Sequence, residues 1–147
     1  MSDSFFECVV VPVASPEDAA TTVDALAPRV TGSDSTVVAV HVIEKAGGGP
    51  DKASVAQREQ YAADVFEVVA DGFDGTGVTF ETDLRYGVDI AASIIGAAYD
   101  HDATGIIFTP RGGSRWRKLL TGDVTHNLVR DSDVPILVLP DREVDEA

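Results

Sequence analysis

Four of the chain's 11 basic side chains, Arg111, Arg115, Arg117 and Lys118, fall within eight residues that contain no acid. Without that segment the chain has seven bases against 25 acids, so the segment is a positive island in a negative field. Gly112 and Gly113 let its backbone approach a ligand closely, and a helix beginning near Gly122 would offer unpaired N–H groups. Such an arrangement suits an oxyanion such as a phosphate. The same bases, paired with neighbouring carboxylates, would equally make a solvated loop. Trp116, inside the segment, is either an anchor for a partner or a lid at the edge of the core.

Other reactive side chains are sparse. His41 lies between Val40 and Val42 in an apolar run, which predicts a packed imidazole near a sheet end rather than a general base. His101, flanked by Asp100 and Asp102, falls at a predicted helix end, where a cation suits the negative end of the dipole. Two acids and a histidine there are also compatible with a metal, but solvated helix-end charge is the reading preferred. His126, close in sequence to Asp123, is the histidine that could face a ligand crevice. Cys8, the single cysteine, excludes an intrachain disulfide and a CxxC metal site, and in a strand it reads as a small hydrophobe. No Ser-His-Asp order, P-loop lysine or paired-carboxylate motif is present, and neither a catalytic residue nor a metal site is expected.

The elements that must position these residues follow from the alternation of apolar runs with helical patterns. Phe6 to Val13, Thr36 to Glu44 and Gly105 to Thr109 read as buried strands, and Val134 to Leu139 as a last strand bracketed by Pro135 and Pro140. Val78 to Leu84 alternates apolar with polar residues, as an edge strand does. Helices are predicted from Pro16, capped by Ser15 and carrying Ala19, Ala20, Val23, Leu26 and Ala27 on its apolar stripe; from about Lys52 to Gly72; from Val88 to Tyr99; and from Gly122 to Arg130. Strands separated by helices imply right-handed crossovers and a parallel sheet covered on both faces. The expectation is one α/β domain over residues 1–147, an open five-stranded parallel sheet in the order 3-2-1-4-5 flanked by four helices.

The chain has 147 residues, a formal net charge of −14 and 44% hydrophobic residues, so it can bury a core of its own. Its acids are mostly Asp, 17 against 8 Glu, and its bases mostly Arg, 8 against 3 Lys. Many short carboxylates and little lysine suit a protein of high-salt surroundings, where the Debye length falls to about 3 Å at 1 M; an acidic surface that simply aids solubility is the plainer alternative. A negative surface disfavours nucleic acid and anionic lipid. No apolar stretch approaches the roughly 20 residues needed to cross a bilayer. A cytoplasmic location, with no nucleic-acid or membrane partner, is expected.

In an open α/β sheet, ligands bind beyond the carboxyl ends of the strands where strand order reverses. That places the loop Pro12-Val13-Ala14-Ser15-Pro16 opposite the basic segment after Thr109. The first of these loops carries no ionisable group; the second is rich in them.

Taken in order, Cys8-Val9-Val10-Val11-Pro12-Val13, Val40-His41-Val42, Gly112 and Gly122 separated by nine residues and followed by Val124-Thr125, and Val134-Pro135-Ile136-Leu137-Val138 resemble the universal stress protein family over nearly the whole chain. The resemblance implies a nucleotide crevice against Pro12, Val13, Ala14, Val42, Thr109, Arg111, Gly112, Gly122, Asp123, Val124 and Thr125. It also implies a homodimer formed through the last strand by Val134, Ile136 and Val138. Left unpaired, that apolar edge would be an aggregation hazard; the chain's own tail is the other candidate to cover it.

Three positions depart from the family's ATP-binding pattern. Ala14 stands where the family has an aspartate that holds the nucleoside, Thr109 where it has the first glycine of the phosphate motif, and Asp123 where it has a phosphate-binding hydroxyl. A carboxylate about 4 Å from a phosphate charge costs on the order of 4 kcal/mol at an effective dielectric of 20, roughly a thousandfold in affinity. The expected function is a non-enzymatic regulatory or interaction dimer requiring no cofactor, its segment Arg111, Arg115, Trp116, Arg117 and Lys118 meeting an acidic partner. The alternative is an ATP- or AMP-binding protein, with slow ATP hydrolysis, in which the bases compensate for Ala14 and Asp123.

Overall fold

The structure is a computed structural model that describes residues 4–44, 52–109 and 123–139. The strands are β1 (Cys8–Pro12), β2 (Thr36–Glu44), β3 (Thr79–Gly87), β4 (Gly105–Phe108) and β5 (Ile136–Val138). The helices are α1 (Pro16–Val30), α2 (Lys52–Phe73), α3 (Ile90–Asp100) and α4 (Asp123–Asp131), and a short 3₁₀ turn, Ser4–Phe6, precedes β1. All strand pairs are parallel and the sheet order is β3-β2-β1-β4-β5, as expected.

Alternation along the strands divides the core into two layers. Val9, Val11, Val37, Ala39 and Ile107 face α1 and α2, where they meet Leu26, Val65 and Val69. Val10, Val38, Val40, Val42 and Ile106 face α3 and α4, where they meet Ile90, Ile94, Ala98 and Leu128. Each fully buried Val, Ile or Leu side chain contributes about 1.5–3 kcal/mol of transfer free energy, which makes the β-branched strands the source of cohesion. Between α1 and α2, Gly72 permits a close approach: a Cβ there would lie 2.1 Å from Val23 Cγ1.

Several predicted boundaries shift. In α1, Pro28 lies inside the last turn, and the helix closes at Thr31 ahead of Gly32, whose φ of 82° favours glycine. The inward stripe of α1 also differs, because Asp18 and Thr22 are buried with Ala19, Ala25, Leu26 and Val30 while Ala20 is exposed. Strand β3 begins one residue late and runs three residues further than predicted, to Gly87, because it keeps pairing with β2 as far as Glu44.

Candidate functional site

Chain reversal at the sheet's switch point begins where β1 ends. Val13 N–H donates to the Val40 carbonyl at 2.9 Å, and the Val13 carbonyl accepts from His41 Nδ1 at 2.7 Å. His41 is buried, with Tyr61 and Phe66 of α2 beside its ring, so the histidine fixes the end of β1 as a packed imidazole. Ala14 then belongs to the same apolar cluster as Val40, Val42 and Ile90, and both Ala14 and Val42 are only 2% exposed. Pro12 and Val13 are buried as well.

The turn into α1 satisfies its own polar groups. Ser15 caps the helix, accepting the Asp18 N–H on its hydroxyl at 3.0 Å. Asp18 reaches back and accepts the Ala14 N–H on Oδ2 at 2.8 Å. Pro16, at the first turn, has no N–H to offer. This is a variant of the capping box, Ser-x-x-Asp, in which the carboxylate takes the N–H of the residue before the cap, and Asp18 is 8% exposed. Burial pushes the Asp18 carboxyl up to about 7, and the hydrogen bond from Ala14 only partly opposes it. A helix dipole, worth about 0.3–1 kcal/mol, cannot offset that desolvation.

One turn further along α1, the Thr22 hydroxyl hydrogen-bonds the Thr109 hydroxyl at 2.9 Å, both groups buried. The ends of β1 and β4 are thus joined by a polar row on α1, Asp18 and then Thr22, that the sequence pattern did not predict. The signal available was the serine-to-aspartate spacing of the capping box. An acid at a helix start is ordinarily read as facing water, and here it turns inward.

A second polar cluster lies on the edge strand. Arg85 donates from Nε and a terminal nitrogen to the two oxygens of Asp83, at 2.9 and 2.8 Å, and from that terminal nitrogen also to Asp100 at 2.8 Å. His101, which closes α3, donates from Nε2 to Asp83 at 2.7 Å, and its Nδ1 lies 3.7 Å from Glu81. Arg85 and then His101 hold the Asp83 carboxyl below its usual range despite burial. Asp83 and Asp100 raise the Arg85 guanidinium. The polar face expected on β3 is present, but it meets the end of α3. Cys8 donates its thiol to the His101 carbonyl at 3.5 Å, and burial, then Glu81, push that thiol up. Among the described residues no three His, Cys, Asp or Glu side chains are placed to hold a metal ion. No described helix is long and apolar enough to cross a membrane.

The crevice residues are brought together in part. Pro12, Val13, Ala14, Val42 and Thr109 converge on the carboxyl ends of β1, β2 and β4. Asp123, Val124 and Thr125 form the first turn of α4, of which only the backbone is described. Arg111, Gly112, Arg115, Trp116, Arg117, Lys118 and Gly122 lie outside the described residues. On the opposite edge, among the described residues, β5 pairs with β4 alone; Val134 and Ile136 are half-buried, and Val138 is 47% exposed. His126 is exposed on α4.

A sheet of order 3-2-1-4-5, with a hairpin-free switch point between β1 and β4, defines a nucleotide-binding-like α/β class. Comparison with known proteins takes this further: the sequence model of the universal stress protein family matches residues 6–140, and the chain belongs to that family. No curated protein matches it. Among solved structures, it is similar to a universal stress protein family member from Burkholderia pseudomallei, with 21% identity, a TM-score of 0.70, and 95% of this chain and 99% of that one covered. It is also similar to the Archaeoglobus fulgidus universal stress protein in complex with dAMP, with 17% identity, a TM-score of 0.64, and 92% and 98% covered. A universal stress protein in complex with cAMP is similar at 16% identity and a TM-score of 0.65, again with 92% and 98% covered. At these identities the likeness establishes the fold.

Proposed function

We propose that this chain is a non-enzymatic regulatory or interaction dimer built on the universal stress protein fold, with a crevice that has lost the family's usual way of holding ATP. The observation that supports this most is Ala14. Where the family pattern has an acid for the nucleoside, this chain has a methyl group in an apolar cluster with Val42 and Ile90. The backbone N–H of the same residue is taken by Asp18, so the turn offers a ligand neither a carboxylate at position 14 nor that N–H. Pairing of β5 with its twin would cover the exposed Val138 and complete the open edge. The basic segment Arg111 to Lys118, alone in a strongly acidic chain, is the part suited to an acidic partner, and the excess of aspartate suits a cytoplasm of high salt.

A second reading, binding of a nucleoside monophosphate or ATP, draws on the two similar proteins whose structures contain dAMP and cAMP. Calorimetric titration with ATP and AMP in high potassium chloride separates the two. The first reading expects no heat of binding from either nucleotide, and submicromolar binding would remove it. Sedimentation of the wild type and of Val138→Lys in the same buffer tests the dimer, which the lysine should convert to monomer.

A further inference from the structure

We propose that His101 is a proton-operated clasp that ties the edge strand β3 to the end of α3. The ring stands between two carboxylates of the same strand, Asp83 at 2.7 Å from Nε2 and Glu81 at 3.7 Å from Nδ1. A neutral imidazole carries one N–H. With that hydrogen on Nε2, bonded to Asp83, the lone pair of Nδ1 is turned toward a negative group. Protonation places a second donor and a full charge on the ring, so both nitrogens then face acceptors.

The charged groups described near the ring are mostly acids, with one cation among them. From β3 come Glu81, Asp83 and Arg85, and from the end of α3 comes Asp100; Cys8, at the start of β1, reaches the His101 backbone carbonyl and has Asp102 and Glu7 near its thiol. Among the described residues Arg85 is the one permanent cation in this group, and it is spent on both oxygens of Asp83 and on Asp100. Glu81 receives none of its hydrogen bonds. A proton on His101 would place a second cation between Asp83 and Glu81. Histidine is the side chain whose ordinary charge change falls between pH 5 and 8.

The mechanical consequence falls on β3. Among the described residues its one strand partner is β2. On the α2 side it is held by Phe80 stacked on Phe73 and by the Tyr86 hydroxyl donating to Glu59. On the α3 side this cluster holds it. Acidification therefore tightens the strand and alkaline conditions loosen it.

The test is amide hydrogen exchange of β3 at pH 5.5 and pH 8 in constant potassium chloride, corrected for intrinsic rates. It is carried out in an Asp18→Asn chain, so that the titration of the buried Asp18 does not contribute. One added ion contact at a partly exposed site predicts roughly two- to fivefold greater protection at the lower pH. His101→Gln should abolish that difference, and His126→Gln, on exposed α4, should leave it intact. Protection equal at the two pH values, or a difference that survives His101→Gln, overturns the proposal. If His101→Gln does not fold, Glu81→Gln at its half-exposed position serves instead: a reduced response supports the clasp, and an unchanged one overturns it.

Discussion

Among the described residues, the Asp18 carboxyl at the start of α1 is buried with a single backbone N–H as its hydrogen-bond donor, whereas on the edge strand the Asp83 carboxylate is held by Arg85 and His101. Both are shielded from water, yet burial wins in the first case and partners win in the second. Asp18 is pushed up to about 7 and Asp83 is held low. The difference teaches what an inward-turned acid costs in a strongly negative chain. Where no cation is supplied the proton becomes the counterion, and where one is supplied the charge survives.

The signs of the pH dependence follow. The folded Asp18 binds its proton more tightly than the unfolded chain does. Its contribution is therefore fully present below about pH 4 and is lost as the pH rises through about 7. Asp83 behaves oppositely: its contribution is present above the unfolded carboxylate range and is lost as the pH falls through its lowered folded value. These two groups alone place greatest stability near pH 4.

The largest expected effect comes from removing the unpaired member. Asp18→Asn should erase a loss of about 4 kcal/mol between pH 4 and pH 8, read by urea unfolding across that range. An unchanged pH slope would show that the carboxyl is not buried as described. Next is the paired member. Arg85→Ala leaves Asp83 with His101 alone and should cost about 1–3 kcal/mol at pH 7, by the same measurement. No loss there would mean that water serves Asp83 as well as the guanidinium does. Smallest is the response to salt. Raising potassium chloride from 0.1 to 1 M shortens the Debye length from about 10 to about 3 Å, which should shrink the Arg85→Ala cost by a few tenths of a kcal/mol. The Asp18→Asn gain should not change, because its origin is desolvation. If both respond alike, the contrast between the two sites fails.

Much of the fold was legible because strands and helices here differ in residue type as well as in period. The β-branched run Thr36 to Glu44 marks β2 to the residue, and Ser15-Pro16 marks the start of α1. Legibility ended where polar residues turn inward. Period alone places Glu81, Asp83 and Arg85 on one face of β3, but cannot say whether that face meets water or the end of α3, since both accept charge. Asp18 and Thr22 were missed from the buried face of α1 because an apolar stripe is sought in apolar residues. Of the residues expected to line a crevice, the placement of Ala14, Val42 and Thr109 at the carboxyl ends of the strands followed from topology, whereas the occupation of the Ala14 N–H by Asp18 depends on a side-chain rotamer that spacing does not specify.

The two flanks of the sheet are stitched unequally. Strand β2 matches β3 over nine positions, Thr36 with Thr79 through Glu44 with Gly87, while β4 matches β5 over three, Ile106 with Ile136 through Phe108 with Val138. Of the two outer seams the β4–β5 one has fewer matched positions, so a twin strand laid against β5 would lengthen the sheet on its more lightly stitched flank.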